Sequence, residues 1–402
     1  MPTSPRASLL VACLTLCFLN TSIYSAEPAA SDPTRQAIER GLPFVEREGT
    51  EWMNKRKCMS CHQVSTMVWT FNEAQQRGFT VDAEKLKLWN DWCFKNSLGG
   101  KPYFRLGKLE GEEFKDAALS EQETKLLGGI ATQDFTTERA FLSAVESQLE
   151  PTDKDKDIAA ILKASTKPGV SPGAQDGPSP AYQILLHTGT PAATAKPDEA
   201  VAALLEGLRR TQQPDGLWKT SGQFLGMNRP KSESTEVNTM WILVALSRIE
   251  PLPPELVECR KKAEHAIAKA QPGVSTESLL LHALWADVQN DSAKRDTLLK
   301  ELLSQQRADG GWAWRKENTD SDALTTGEIL YGLGRLGKNV NDPAAQKARD
   351  FLLAKQLEDG SWNAPWLLFN VENKKDHTDG NKVFSYWATT WSLLGLMETM
   401  VK

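Results

Sequence analysis

The segment Gln306–Trp312 has the sequence QRADGGW, and two related segments share its glutamine, aspartate, glycine and tryptophan. Gln212–Trp218 reads QQPDGLW and Gln356–Trp362 reads QLEDGSW. Each copy follows a segment with apolar residues at helical spacing and precedes, after a polar loop, a second apolar segment. The repeating unit is therefore predicted to be a helical hairpin.

The spacing of the copies predicts one further, degenerate unit. The interval from Trp218 to Trp312 is close to twice the interval from Trp312 to Trp362. Residues 256–270 and 275–286 supply a helix pair within that interval, joined by a Gln-Pro-Gly turn that lacks the aspartate and the tryptophan. Internal periods of this size are typical of stacked supersecondary units.

The residue types of the repeated motif favour a structural role. Glycine allows a turn after the first helix, and aspartate can cap backbone amides. Glutamine can bond to the next unit, and tryptophan can pack between hairpins. We therefore expect the motif to stabilise the fold and to take no direct part in chemistry.

The repeat resembles the QW motif of squalene-hopene cyclases, oxidosqualene cyclases and the related prenyltransferase beta subunits, over residues 200–402. The resemblance implies an all-α fold, an (α/α) toroid in which inner helices surround a central cavity and outer helices enclose them. Counting hairpins extends this to a single (α/α)6-type toroid over residues 27–402. The remaining helices are predicted near residues 33–54, 62–76, 82–97, 119–128, 136–149, 153–163 and 181–187, with a loop or linker at 167–180.

The same resemblance points to candidate catalytic residues. Squalene-hopene cyclases use an Asp-x-Asp-Asp motif, at the start of an inner helix, whose central aspartate protonates the isoprenoid. Here Asp320, Ser321, Asp322 and Ala323 stand after a QW copy, with Asp322 in the place of the acid and Ala323 in the place of the last aspartate. Asp320 and Asp322 are candidates for catalysis or, alternatively, for helix capping. No Asp-x-Cys pair of the prenyltransferase zinc site occurs in the repeats.

A different chemistry is indicated by the segment Cys58–His62, which reads CMSCH. Two thiols at this spacing can add to the vinyl groups of a haem, and the following histidine can ligate the iron. A zinc site would need a second ligand pair, and a redox dithiol would need a strand-to-helix setting that the helical surroundings do not provide. The motif predicts one covalent haem c, attached through Cys58 and Cys61, with His62 as the proximal ligand.

The predicted helices at 33–54 and 62–76 place this motif in the connection of an N-terminal hairpin, residues 33–78. Several residues are candidates for the sixth iron ligand. His377 is the first candidate, because it lies in a long polar insert beside Asp376 and Asp379. The other candidates are His187, His265, His282, Met53, Met67, Met227 and Met240.

The N-terminus has the layout of a secretory signal, with Arg6, an apolar run over residues 9–19 and small residues up to Ala26. Residues 1–26 are predicted to be removed, which places the protein in the periplasm or outside the cell, where bacterial haem attachment takes place. The net charge of −5 gives no reason to expect a nucleic-acid partner. No later apolar run is long enough to be a transmembrane segment. Cys93 and Cys259 could form a disulfide or remain buried thiols.

Three hypotheses for function follow. In the first, an exported c-type haem protein on a cyclase-like toroid transfers electrons or carries out haem-based redox chemistry with a partner protein or a small apolar molecule. In the second, the chain is a squalene or terpenoid cyclase or a prenyltransferase-like enzyme acting through Asp322. In the third, it is a non-catalytic haem-containing protein that binds or senses a ligand. Tight axial ligation would favour electron transfer, and an open sixth site would favour small-molecule chemistry or sensing.

Overall fold

The computed structural model describes residues 32–56, 63–98, 103–104, 168–169, 205, 207–209, 211–219, 227–249, 251–338, 341–364 and 378–400. The chain divides into a short unit, Met1–Asp32, and a larger unit, Pro33–Lys402. The predicted signal segment and the helices predicted between residues 119 and 187 lie outside the described residues. So do Cys58, Cys61, His62, His187 and His377.

The described secondary structure is almost entirely helical. The helices are α1 (Pro33–Arg56), α2 (Val64–Gln76), α3 (Ala83–Leu98), α4 (Lys231–Leu246), α5 (Pro254–Ile267), α6 (Thr276–Val288), α7 (Ser292–Ser304), α8 (Ala323–Arg335), α9 (Pro343–Lys355) and α10 (Thr378–Glu398). Besides the helices, the described residues include a two-residue antiparallel pairing of β1 (Tyr103–Phe104) with β2 (Pro168–Gly169).

Inner and outer helices alternate along the chain. The inner helices α2, α4, α6 and α8 bury side chains on all faces over most of their length. The outer helices α5, α7 and α9 bury only one stripe, which in α7 consists of Leu298, Leu299 and Leu302. A helix enclosed by protein is apolar all round, whereas an outer helix keeps a polar face. The alternation agrees with the predicted cyclase-like arrangement.

The inner helices contact one another in succession: α4 with α6, α6 with α8, α8 with α10, and α10 with α2. The outer helix α1 contacts both α9 and α10. The first hairpin, α1 and α2, therefore lies beside the last, α9 and α10, and the helical arrangement extends to the N-terminal half. The predicted number of six hairpins depends on residues 99–204, which fall almost entirely outside the described part of the chain.

The two helices predicted for the degenerate unit are confirmed, because α5 and α6 follow each other in the chain at the expected place. Helices α1, α2 and α3 begin and end within two residues of their predicted bounds. The largest differences are at α4, α9 and α10. The apolar segments beside the motif copies predict that these helices begin at Thr239, Phe351 and Ala388, and they begin eight, eight and ten residues earlier. Their first turns carry few large apolar side chains, so an apolar pattern detects only the later turns.

The glutamine of each QW copy links its own unit to the outer helix that follows. Each glutamine side-chain N–H donates to a backbone carbonyl of that helix. The pairs are Gln212 with Cys259 at 2.7 Å, Gln306 with Ala344 at 2.8 Å, and Gln356 with Ala37 at 2.8 Å. The expected bond to the next unit is confirmed in all three copies.

The tryptophan of each copy is fully buried and holds the two helices of its own hairpin together. In the second copy, the Trp312 indole N–H donates to the carbonyl of Leu302 on α7 at 2.9 Å, and its backbone N–H donates to the hydroxyl of Thr326 on α8 at 2.9 Å. The other two copies repeat both bonds. Gly310 has a φ of +90°, and a Cβ there would collide with the Lys347 carbonyl of α9. The structural role of the motif is therefore confirmed.

Two further expectations are met in the larger unit. Cys93 and Cys259 are both buried and are not bonded to each other, so the thiol alternative holds. No helix within the described ranges combines the length and the apolar character that crossing a membrane requires.

Candidate functional site

The candidate site lies where the inner helices α4, α6 and α8 begin. Glu233, in the first turn of α4, accepts hydrogen bonds from the backbone N–H groups of Val274 and Ser275 at 2.9 Å each and from the Ser275 hydroxyl at 2.5 Å. Thr276, the first residue of α6, donates its backbone N–H at 2.9 Å to the carbonyl of Trp314, in the loop before α8. The starts of three inner helices are thereby joined.

Glu233 compensates for the missing motif in the degenerate copy. In the other copies the motif aspartate accepts a backbone N–H within its own loop, as Asp309 does from Gly311 at 3.0 Å. The Gln-Pro-Gly turn has no aspartate, and the Glu233 carboxylate reaches over from the neighbouring hairpin. A Cβ on Gly273 would collide with the Glu233 side chain, so this position requires glycine for close approach.

Asp322 is the N-cap of α8 and is buried. Its carboxylate accepts the backbone N–H of Thr325 at 2.7 Å, the Thr325 hydroxyl at 2.8 Å and the backbone N–H of Trp314 at 3.1 Å. Burial raises the pKa of Asp322 to about 6, and the hydrogen bonds to Thr325 and Trp314 oppose that rise. The capping alternative for Asp322 is thus confirmed, whereas Asp320 is exposed two residues earlier.

Glu277, in the first turn of α6, is held by a cation and an indole. One of its carboxylate oxygens accepts the indole N–H of Trp241 at 2.9 Å, and the other pairs with the guanidinium of Arg229. The Arg229 side chain is only 7% exposed and lies over the ring of Trp314, 5.1 Å from its centroid. A buried carboxylate with such partners is stabilised in its charged form.

Glu328, on α8, is buried close enough to Glu277 for the two carboxyl groups to interact. We call these two residues the carboxyl pair. Glu328 is 1% exposed. Burial is the main cause that raises the pKa of Glu328 well above its usual range, the negative charge of Glu277 adds to it, and Arg229 opposes it. Two neighbouring buried carboxyl groups repel each other when both are ionised, so this setting favours a proton on Glu328.

An aromatic cluster, which we define as Trp69, Trp241, Tyr331 and Trp391, lies beside the carboxyl pair. The Trp391 ring centroid is 5.3 Å from Trp69, 5.7 Å from Tyr331 and 5.8 Å from Trp241. The four rings come from α2, α4, α8 and α10 and are all buried. Trp241 belongs to both groups, because its indole N–H binds Glu277. Faces of such rings attract cations.

Two of the histidine candidates, His265 and His282, lie within the described residues. His265 is exposed on α5, and His282 is buried on α6. Burial lowers the pKa of His282 to about 4, with the charge of Lys294 acting in the same direction, so its ring is neutral at pH 7. Its Nε2 has no hydrogen-bond partner among the described residues. Both histidines fit the expectation of ordinary packed or surface side chains.

The Cys58–His62 segment connects α1, which ends at Arg56, to α2, which begins at Val64. Its predicted position between the two helices of a hairpin follows from these bounds. Directly after it, Gln63 and Ser65 are buried, and neither Gln63 Oε1 nor Ser65 Oγ has a hydrogen-bond partner in the described chain. Two such polar atoms are compatible with a bound group at this end of α2. The candidate methionines Met53, Met67, Met227 and Met240 are packed in the hydrophobic core.

Sequence reasoning missed the carboxyl pair and Arg229. One signal for Glu328 was present: it is an acidic residue in the middle of a helix that is otherwise apolar or small, over residues 323–333. An acid at such a position is expected to be buried and therefore to need a partner. Glu277 and Arg229 carried no comparable signal, because acidic residues are common in first turns and arginines are common in loops.

Comparison with known proteins supports a cyclase-like repeat. Residues 266–363 match the model of the squalene-hopene cyclase N-terminal domain. A terpene cyclase/mutase, ntnI, from a Nectria species is 32% identical over 103 residues, which are 25% of this chain and 13% of that protein. This chain therefore matches a small part of that relative's length. The residues that match the family model include Glu277, Asp322 and Glu328.

Among solved structures, a polysaccharide lyase aligns with 91% of this chain and 97% of its own, with a TM-score of 0.35 and 13% sequence identity.

Proposed function

We propose that this chain is a terpenoid cyclase-like enzyme, which binds an apolar isoprenoid among its inner helices and transfers a proton to it from a buried carboxyl group. The observation that carries the proposal is the presence of two buried carboxyl groups with raised pKa on one inner helix, Asp322 at the N-cap of α8 and Glu328 within it, among the residues that match the cyclase family. The motif resemblance places Asp322 first as the donor, and Glu328 is the other buried acid.

The surroundings of these groups suit such a reaction. A proton added to a carbon–carbon double bond leaves a cation on the substrate, and aromatic faces stabilise a cation without reacting as strong bases. Four aromatic rings lie within 5.2 to 5.8 Å of their nearest neighbours beside Glu277. Burial raises the pKa of both acids and so increases their protonated fraction, which general acid catalysis requires.

The test is turnover of squalene in D2O. The protein is incubated with squalene micelles, and the hydrocarbon products are analysed by gas chromatography and mass spectrometry. Protonation by an exchangeable acid adds deuterium from the solvent to the product. The double variant Asp322→Asn/Glu328→Gln is expected to lose at least about 100-fold in rate, the usual contribution of a general acid. The matched control Asp320→Asn changes an exposed carboxylate at the same loop and is expected to keep the rate. Absence of any deuterated product from the native protein contradicts the proposal.

A second candidate function is favoured by the sequence Cys58–His62. We propose that Cys58 and Cys61 carry one haem c through thioether bonds, that His62 ligates the iron, and that His377 is the first candidate for the sixth ligand. Such a haem would supply electron transfer or small-molecule chemistry. Removal of residues 1–26 on export would place the protein in the periplasm or outside the cell. Gln63 and Ser65 provide buried polar atoms next to this group.

The haem proposal has its own test. The protein is expressed with a haem-attachment system, and its pyridine haemochrome spectrum and intact mass are measured. One haem of added mass is expected, and it should disappear in Cys58→Ala/Cys61→Ala. The matched control Cys93→Ala/Cys259→Ala removes the two buried cysteines and should keep the haem. An apo mass for the native protein after such expression excludes the haem function and leaves the cyclase proposal unaffected.

A further inference from the structure

We propose that the transferable proton of this site resides on the carboxyl pair, with Glu328 as the donor, and that Asp322 is a positioning residue. This inference rests on the proposed cyclase-like function and assigns its catalytic acid. It departs from the motif resemblance, in which the acid would be Asp322.

Hydrogen bonds from neighbouring groups hold the carboxylate of Asp322 in place. Its carboxylate faces donors: the backbone N–H and hydroxyl of Thr325 and the backbone N–H of Trp314. Each of these donors favours the charged form of Asp322 and opposes the effect of burial, which raises its pKa only to about 6. Its contacts hold the loop after Trp312 against the start of α8. Asp322 therefore fixes the position of the α8 N-terminus.

Glu328 lies in surroundings that differ from those of Asp322. The charged groups that bear on it are Glu277 on α6, Arg229 in the loop before α4 and Asp322 at the start of its own helix. Arg229 and the Trp241 indole both donate to the carboxylate of Glu277. Glu328 is 1% exposed and lies beside that carboxylate, so we assign the proton of the pair to Glu328. Burial and the neighbouring charge both raise the pKa of Glu328.

The carboxyl pair lies beside the aromatic cluster. Glu328 and Tyr331 are three residues apart on α8, and therefore lie on the same side of that helix. Glu277 binds the indole of Trp241, whose ring is 5.8 Å from Trp391. The contacts of Asp322 instead run to the loop residue Trp314 and to Thr325. Through the bond between Glu277 and Trp241, the carboxyl pair is therefore connected to the cation-stabilising rings.

The proposed step balances without an oxidant or reductant. The O–H bond of Glu328 breaks as its proton forms a C–H bond with one carbon of a substrate double bond, and the two π electrons supply the new bond. The other carbon becomes a cation, and Glu328 becomes a carboxylate. When the final cation loses a proton from a neighbouring carbon, that carboxylate accepts it and a double bond forms. The carboxylate left beside Glu277 is unfavourable, which promotes reprotonation of Glu328.

The test combines infrared spectroscopy with turnover. The C=O stretch of a protonated carboxyl group is recorded in H2O and D2O, at pH 5 to 9, for the native protein and for Glu328→Gln and Asp322→Asn. The native protein should show this band at pH 8, Asp322→Asn should keep it, and Glu328→Gln should lose it. Glutamine matches glutamate in shape and can still donate to Glu277, so Glu328→Gln is expected to fold. If it does not fold, the native titration decides, because a band lost near pH 6, or absent at pH 8, overturns the proposal.

Measuring squalene conversion distinguishes an error in assigning Glu328 as the donor from an error in the proposed cyclase function. Glu328→Gln should lower the rate of squalene conversion at least about 100-fold, and more than Asp322→Asn does. A native protein that converts squalene while Glu328→Gln keeps its rate overturns Glu328 as donor. If the native protein does not convert squalene, the proposed cyclase function and the donor role of Glu328 are both overturned. The infrared bands then still show whether the carboxyl pair holds a proton.

Discussion

Gln356 donates its side-chain N–H to the backbone carbonyl of Ala37 across 2.8 Å, and this hydrogen bond joins the last QW copy to the first helix of the larger unit. The same N–H group donates to the Gly360 carbonyl at 3.0 Å. Gln212 and Gln306 likewise donate to the glycine carbonyl of their own motif and to a carbonyl of the outer helix of the unit that follows them in the chain. The first hairpin therefore occupies, relative to the last one, the place of a next repeat.

We expect Gln356→Ala to lower the free energy of unfolding by about 1–3 kcal/mol, because it leaves two backbone carbonyls without their donor. Urea unfolding followed by circular dichroism measures the change. The adjacent Leu357 is 48% exposed, so Leu357→Ala is a matched control expected to change the free energy by less than about 0.5 kcal/mol. Equal effects of the two variants would show that the hydrogen bonds of the Gln356 side chain do not stabilise the folded state.

Gly360 and Gly337 provide a matched pair for testing close approach between repeats. Their φ angles are +84° and +78°, so alanine at either position has a similar backbone cost of about 1–2 kcal/mol. At Gly360 a Cβ would collide with the Arg40 carbonyl of α1, whereas at Gly337 no described atom lies within 4 Å. We expect Gly360→Ala to be less stable than Gly337→Ala by about 1–3 kcal/mol, the usual cost of overpacking. Thermal and urea unfolding that rank the two variants equally would contradict the close packing of α1 against this turn.

Asp322 should make the folded state less stable as the pH rises. Its pKa is about 6 in the folded protein, above the usual 3.8, so the folded state binds the proton more tightly than the unfolded state does. The stabilisation is complete below pH 4 and is lost as the pH rises through 6. At about 1.4 kcal/mol for each pKa unit, the loss is about 3 kcal/mol. Asp322→Asn keeps a good capping residue and should remove this slope, as measured by urea unfolding at pH 4 to 7. Asp320→Asn is the control and should keep the slope.

His282 should act in the opposite direction over nearly the same range. Its pKa is about 4 in the folded protein, below the usual 6.5, so the unfolded state binds the proton more tightly. The stabilisation is complete above pH 6.5 and is lost as the pH falls through 4, again by about 3 kcal/mol. The variant His282→Gln should therefore lose less stability on acidification than the native protein. The exposed His265 supplies the control His265→Gln, and a shared acid profile of all three proteins would contradict the burial of a neutral His282.

The two slopes offset each other in the native protein. Between pH 4 and 6, protonation favours the folded state through Asp322 and the unfolded state through His282. Native stability is thus expected to vary less with pH in this range than the stability of either variant, and Asp322→Asn and His282→Gln should deviate from it with opposite sign. Deviations of the same sign would show that one of the two groups has a different environment.

The sequence alone was sufficient for the features that depend on neighbouring residues. Helical hairpins, the turn at each motif glycine and the bond of each motif glutamine to the next unit follow from residue type and spacing, whereas capping by Asp320 or Asp322 was one of two alternatives that the sequence offered. These interactions lie within one hairpin or between a hairpin and the next, so a repeated pattern determines them. The chemistry of Cys58–His62 is also a prediction from spacing alone.

The tertiary structure alone decided which side chains from different helices meet. Glu328 pairs with Glu277, Arg229 binds the same carboxylate, and Glu233 reaches across to the degenerate turn, and none of these contacts has a fixed spacing in the chain. The aromatic cluster likewise takes one ring from each of four helices. Whether a buried acid carries a proton depends on desolvation and on the charges around it, and those are set by the packing of helices far apart in the sequence.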